Sequence, residues 1–190
     1  MAWNLTAAFA VALLIFIVGF MVLATFNAIV ALRQRTDRAW ANIDVVLKQR
    51  HDELPNLVNA VRDVMAYERA VLEDVTRLRA AYRPDDPIDR QAVTSEATSA
   101  AVRQLFAVVE RYPDLKAHAN VLALQAEIER LEGVIADRRE LYNDTVYRYN
   151  TRIAQVPAVL MAWLFGWTPR PMFAAAPEDS ARPEVGLRPA

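Results

Sequence analysis

WANIDVVLKQRHDELPNLVNAVRDVMAYERAVLEDVTRLRAAY, from Trp40 to Tyr82, is the stretch whose spacing decides the fold. One position of a seven-residue repeat is held by Trp40, Leu47, Leu54, Val61, Glu68, Val75 and Tyr82. The companion position holds Ile43, Arg50 or His51, Leu57 or Val58, Val64 or Met65, Val71 or Leu72, and Leu78. An apolar seam sustained at this period predicts a long helix packed lengthwise against others. Pro55 interrupts it chemically, because proline removes one intrahelical hydrogen bond and crowds the preceding turn, so a kink is expected there. Leu47, Leu54 and Val61 keep their spacing through the proline, which favours one kinked helix reaching about Arg83. The alternative is a turn at His51–Glu53, with Asp52 as N-cap and Pro55 in the first turn of a new helix. That version is a four-helix bundle.

Toward the amino terminus, Ala7 to Ala24 read AAFAVALLIFIVGFMVLA without a polar side chain. Extended through Leu5 and Phe26, the run reaches about 22 residues, enough at about 1.5 Å per residue to cross a hydrocarbon core. A cleavable signal peptide wants a basic start and a shorter core. MAWNLT carries no basic side chain, so a retained anchor is expected, touching membrane lipid. Arg33, Arg35 and Arg38 follow the run, and none precedes it. Basic residues stay on the cytoplasmic side. The expectation is a single-pass protein of the cell membrane, with its amino terminus outside and its body cytoplasmic. Because neither glycine nor proline lies between Gly19 and Pro55, the membrane helix is expected to continue into the body.

Toward the carboxyl terminus, Pro84-Asp85-Asp86-Pro87 stops the first helix, and Asp86 or Asp89 is positioned to cap the second. That helix runs from about Ile88 to Arg111, weakened early by Thr94, Ser95, Thr98 and Ser99. Tyr112-Pro113-Asp114 ends it. A third helix is expected from an Asn120 N-cap to about Gln155. Its seam is Val121, Leu124, Ile128, Leu131, Ile135, Arg138, Tyr142, Thr145 or Val146, and Tyr149. PAVLMAWLFGW, from Pro157, is apolar on nearly all sides but too short to span a bilayer. It either packs on the bundle or lies in the membrane interface with Trp163 and Trp167 at headgroup level. The expected division is an anchor over 1–27, an all-α bundle over 28–167, and a solvated Pro-rich tail over 168–190.

Composition narrows the function. The chain has 190 residues, 4 glycines, no cysteine and a formal net charge of -1. Without cysteine there is no disulfide, thiol catalysis or cysteine-held metal. A near-neutral chain lacks the electrostatic footprint of a nucleic-acid binder. No phosphate-cradling glycine loop, Gly-x-Ser-x-Gly elbow or His-Glu-x-x-His pair occurs.

Several blocks in order make the chain resemble the LemA family: Phe26-Asn27 with LRQR, AWANIDVVLKQRHDELPNLVNAV, Tyr67-Glu68, LFAVVERYPDLKA, RRELYNDTVYRYNT and VPAVLMAWLFGW. They cover roughly residues 26 to 167. The resemblance implies an amino-terminal membrane helix, a helical bundle and no established catalytic activity. The chain departs from the family pattern at Asp52-Glu53-Leu54-Pro55, where an aliphatic pair is usual, and the tail lies outside the resemblance.

Individual residues are weighed against plain structural roles. Arg50, His51, Asp52 and Glu53 form the densest polar cluster, beside the helix irregularity at Pro55. Consecutive helical residues point in different directions, and no Glu-x-x-His pair accompanies them. A shape role therefore outweighs a metal or proton-transfer one, and no metal, cofactor or catalytic residue is expected. Glu68 and Arg138 are charges on apolar seams, costly unless paired, and a buried pair setting helix register is expected. Tyr142-Asn143 and Tyr149-Asn150 recur one heptad apart. Core packing with satisfied hydroxyls is expected for the tyrosines, and a docking patch for a partner is the alternative. The function expected is a non-enzymatic scaffold or adaptor for protein partners at the cytoplasmic membrane surface. A membrane-organising homo-oligomer is the first alternative, and a metal-binding or enzymatic bundle using His51 is the second.

Overall fold

Helix α1 spans Ala2–Val61 without a break. In the computed structural model, which describes residues 2–62 and 68–174, it passes through His51–Glu53 and Pro55 as helix, so the alternative turn at His51–Glu53 does not form. A proline loses one hydrogen bond, while the apolar side chains around it, Leu54, Leu57, Val58 and Val61, are all buried. Each such burial is worth about 1.5–3 kcal/mol, enough to offset the lost bond.

The seam of residues 40–82 is not one helix. α1 ends at Val61, and α2 begins at Arg69 and ends at Ala81. Glu68 precedes α2 with φ -99 and ψ 41, outside helical geometry. The seam positions Val64 and Met65 lie outside the described residues. α2 runs back along α1: the Tyr82 hydroxyl donates to Asp44 Oδ1 at 3.4 Å, and the Tyr82 ring lies 5.0 Å from that of His51. Folding back sets Val71, Leu72 and Val75 against the same core as Leu54, Leu57 and Val61. An extended helix would leave both halves of its seam waiting for partners, so tertiary burial outweighs local helix propensity here.

α3 spans Ile88–Val109, α4 Pro113–Ala117, α5 Ala119–Ala154 and α6 Ala158–Phe165. No strand occurs among the described residues. The expected caps differ in detail. Pro87 occupies the position before α3, Asp89 lies in its first turn, and no side chain caps it. The loop is closed instead by Gln91, whose Nε2 donates to the carbonyls of Pro84 at 2.9 Å and Asp86 at 2.8 Å. Asn120 lies inside α5 rather than ahead of it.

Packing divides the chain into two units. Among the described residues, one comprises 2–42 with 140–171, the other 43–62 and 68–139 with 172–174. The second unit is a four-helix arrangement of α1 beyond Asn42, α2, α3 and α5 up to Arg139, plus the short α4. Its core includes Leu54, Leu57, Val75, Val102, Leu105, Leu115 and Ile128.

In the first unit, α6 and the end of α5 pack on α1 through Ile29, Tyr149, Ile153, Ala158 and Ala162. Gly166 ends α6 at φ 66, a left-handed conformation that lets the N–H of Trp167 reach back to the Ala162 carbonyl at 2.8 Å. The chain then stays packed where a solvated tail was expected. Asn150 Nδ2 donates to the Arg170 carbonyl at 2.9 Å, and the Arg170 N–H donates to Asn150 Oδ1 at 2.8 Å. The Arg170 guanidinium pairs with Asp37 and sits 5.8 Å over the Tyr149 ring. Proline-rich composition hid this anchoring, because the polar partners of residues 170 and 171 lie on α5 and α1, twenty or more positions earlier. The rest of the expected tail, from 175, lies outside the described residues.

Candidate binding cleft

Arg50 is the centre of the second unit's polar interior. It projects from α1 at only 4% exposure. A buried guanidinium is tolerable only where its donors find acceptors, and here both terminal nitrogens do. Nη1 donates to Ser99 Oγ at 2.8 Å and to Glu132 Oε1 at 2.7 Å. Nη2 donates to Ser95 Oγ at 2.9 Å and to the Ser95 carbonyl at 3.4 Å. Ser99 completes the link, its hydroxyl 2.6 Å from Glu132 Oε2 and 3.1 Å from the Ser95 carbonyl. With one proton it donates to one of them at a time, and the shorter, charge-assisted bond to Glu132 is the stronger.

Sequence reasoning reached Arg50 and missed its partners. Ser95 and Ser99 stand four residues apart on α3, on one face with Ala92, and all three are buried. That stripe of small residues was legible as weakened helix propensity but is a groove admitting a large side chain. Glu132 carries no sequence mark that separates it from Glu127, Glu129 or Glu140.

Glu132 is 27% exposed and opens onto a cleft of about 290 Å³ between α3 and α5. Ser95, Ser99, Glu96, Arg103, Arg139 and Phe173 are among the residues that line it. Phe173 is 2% exposed, so residues beyond the last helix form part of the wall. Glu96 is shared by Arg103 and Arg139, each at 3.6 Å. Charge-assisted hydrogen bonds run about 2.7–2.9 Å, so these are loose pairs, and both arginines keep donors to offer a ligand.

The other residues singled out from sequence fall elsewhere. Glu68 and Arg138 do not pair. Glu68 accepts from Arg111 Nη2 at 3.2 Å and from the Tyr112 hydroxyl at 3.5 Å, while Arg138 is exposed. The buried stripe of α5 skips from Ile135 to Tyr142, so the heptad arithmetic that put Arg138 on the seam fails at that step. Tyr142 is fully buried, its ring centroid 5.6 Å from that of Trp40 with the planes tilted by 58°, and its hydroxyl donates to the Pro171 carbonyl at 2.9 Å. Burial pushes that hydroxyl's pKa up to about 12. Tyr149 is buried, Asn150 holds Arg170, and Asn143 is half-buried. The face offered as a partner patch is thus occupied in part by the chain's own residues 170 and 171.

His51 stands beside Arg50 in the chain but faces α2. Its ring meets Tyr82, and its Nδ1 is buried without a hydrogen-bond partner. Burial, then the nearby Arg79 guanidinium, lowers its pKa from 6.5, against a smaller opposing effect of Asp52. Tyr82 is raised to about 12 by burial and by Asp44. A histidine held neutral binds fewer protons folded than unfolded just below 6.5, so folding stability falls as the pH drops through that value. His51→Leu is expected to flatten this part of a stability–pH profile, measured by urea unfolding between pH 7 and 5. An unchanged slope would contradict a neutral His51. No group of three His, Asp or Glu side chains suited to a metal ion occurs among the described residues.

The family model described as LemA family matches residues 39–186, which includes both the Arg50 network and the chain beyond α6. No curated protein was found to match the chain.

Proposed function

This chain belongs to the LemA family, and from that premise we propose that it is a membrane-anchored, non-enzymatic adaptor whose cleft beside Arg50 receives a segment of a partner protein. The observation carrying this reading is the contrast along α1. Its apolar stretch after Thr6 is long and apolar enough to cross a membrane, and the most apolar window is 0% buried. Burial begins at Thr25 and Ile29. An apolar surface of that length calls for lipid. A cytoplasmic body is supported by Arg33, Arg35 and Arg38 directly after the apolar run, because basic residues prefer that face.

The adaptor role is favoured over chemistry by the state of the cleft's polar groups. Arg50, Ser95, Ser99 and Glu132 are committed to one another, as a register-setting interior requires. What remains available is the rim, Glu96 with Arg103 and Arg139, which suits recognition of a carboxylate on an incoming chain. Photo-crosslinking of the intact protein in its membranes tests the reading, comparing wild type with Arg103→Glu/Arg139→Glu. Both arginines are exposed enough for charge reversal to spare the fold. The expected result is a crosslinked partner that the double variant loses. Crosslinks only between copies of this chain would transfer the role to a self-assembling membrane organiser.

A further inference from the structure

Helix α6 presents an apolar face that no described residue of its unit covers. Ala158, Met161 and Ala162, spaced three and four residues apart, are buried on the inner face. Leu160 and Leu164 are each 68% exposed and Trp163 is 85% exposed. Two readings were open for this segment, packing on the body or lying in the membrane interface. The helix packs with one face, and its other face is built for something else.

Its position says what covers it. Phe26, at the end of the apolar run of α1, lies 5.1 Å from the Phe165 ring and 5.4 Å from the Trp167 ring. One residue earlier, Thr25 is the first buried side chain of α1, and the described side chains before it are exposed. The carboxyl end of α6 is therefore held at the level where the lipid-length segment ends and the packed body begins. From Ile153 to Pro169 there is no charged side chain, so nothing in α6 opposes transfer out of water. Tryptophan favours this boundary, because its ring is apolar and its indole N–H needs a polar neighbour.

We propose that the outer face of α6, formed by Leu160, Trp163 and Leu164, is seated in the lipid–water interface as a second membrane contact beside the anchor. It rests on the anchor reading of α1. The occupant is lipid rather than a second copy, because α6 meets α1 at Phe26, where the exposed apolar surface of α1 ends. A protein held by one helix alone is free to swing about it. With two contacts the first unit takes a fixed tilt to the membrane plane.

The chain has no cysteine, so single cysteines report without background. The full-length protein is reconstituted in phosphatidylcholine vesicles with a nitroxide at one of four positions: Ile17→Cys, Ala41→Cys, Leu160→Cys or Trp163→Cys. Ile17 lies about 14 Å before Phe26 along α1, and Ala41 about 22 Å after it. All four sites but Ala41 are expected to collide with dissolved oxygen in preference to a water-soluble nickel complex. The ratio at 160 and 163 is expected to exceed that at 41 several-fold. An aqueous ratio at 160 and 163 with a lipid ratio at 17 overturns the α6 contact and leaves the anchor standing. An aqueous ratio at 17 as well overturns both. Shielding from both reagents at 163 means protein covers the face, which also overturns the proposal in favour of a second copy.

Discussion

Arg50→Ala is expected to destabilise the body by about 3–5 kcal/mol, the usual cost of removing one partner from a buried ion pair. Loss of the guanidinium leaves the Glu132 carboxylate without its 2.7 Å partner. It also strips Ser95 and Ser99 of a shared donor. The penalty comes from the abandoned acceptors more than from the bonds lost. Replacing both charges by apolar groups removes that penalty. Arg50→Met with Glu132→Leu is therefore expected to be markedly more stable than Arg50→Met alone. Urea unfolding of the detergent-solubilised protein, followed by circular dichroism, measures all three. A loss under 1 kcal/mol for Arg50→Ala would mean that water satisfies the site and that the network does not organise the interior. Additivity of the paired changes would show that Arg50 and Glu132 act independently.

Leu14→Lys with Ile17→Lys is expected to abolish stable membrane insertion. Each lysine near the centre of a spanning helix costs about 2.5–3.5 kcal/mol of insertion free energy. The two positions, three residues apart, lie on one face and cannot both reach the same headgroup layer easily. Wild-type protein should remain in the pellet after alkaline carbonate washing, and the double variant should be released or degraded. Retention of the variant at the wild-type level would argue that the apolar run does not cross the bilayer. Residual, salt-insensitive association after release would be expected from Leu160, Trp163 and Leu164 on α6.

The two variants probe features of different visibility. A membrane-length apolar run is a local property, readable wherever nearly every residue in a window is apolar, and that window of α1 is uncovered. The Arg50 site was half visible. Arg50 or His51 falls on the companion seam position, but the polar cluster around it suggests a shape role rather than a buried ion pair. The acceptors of Arg50 on α3 and α5 lie 45 to 82 positions away in the chain, and nothing local links them to it.

The seam charges show the same limit from the other side. Glu68 and Arg138 both break an apolar pattern, which is the whole basis for expecting them to pair. Glu68 instead meets Arg111, because the chain reverses between α1 and α2 and Glu68 stands at the start of the returning helix. Residues 168–174 carried two prolines and no period, so they read as tail. Their anchors are hydrogen bonds from Asn150 and Tyr142 and the burial of Phe173, none of which composition encodes.

Helical class, the long amino-terminal helix, the breaks at Pro84–Pro87 and Pro113, and the family were determined by the sequence alone. All rest on interactions within a few residues: the 3.6-residue period, missing proline N–H groups, and runs of shared polarity. Only the tertiary structure decided that the seam of residues 40–82 folds back on itself, which acceptors surround Arg50, and which face of α6 stays bare. A periodic apolar stripe states that a surface must be buried. Which surface buries it depends on contacts between distant segments, and those are settled by competition among packings rather than by any local preference.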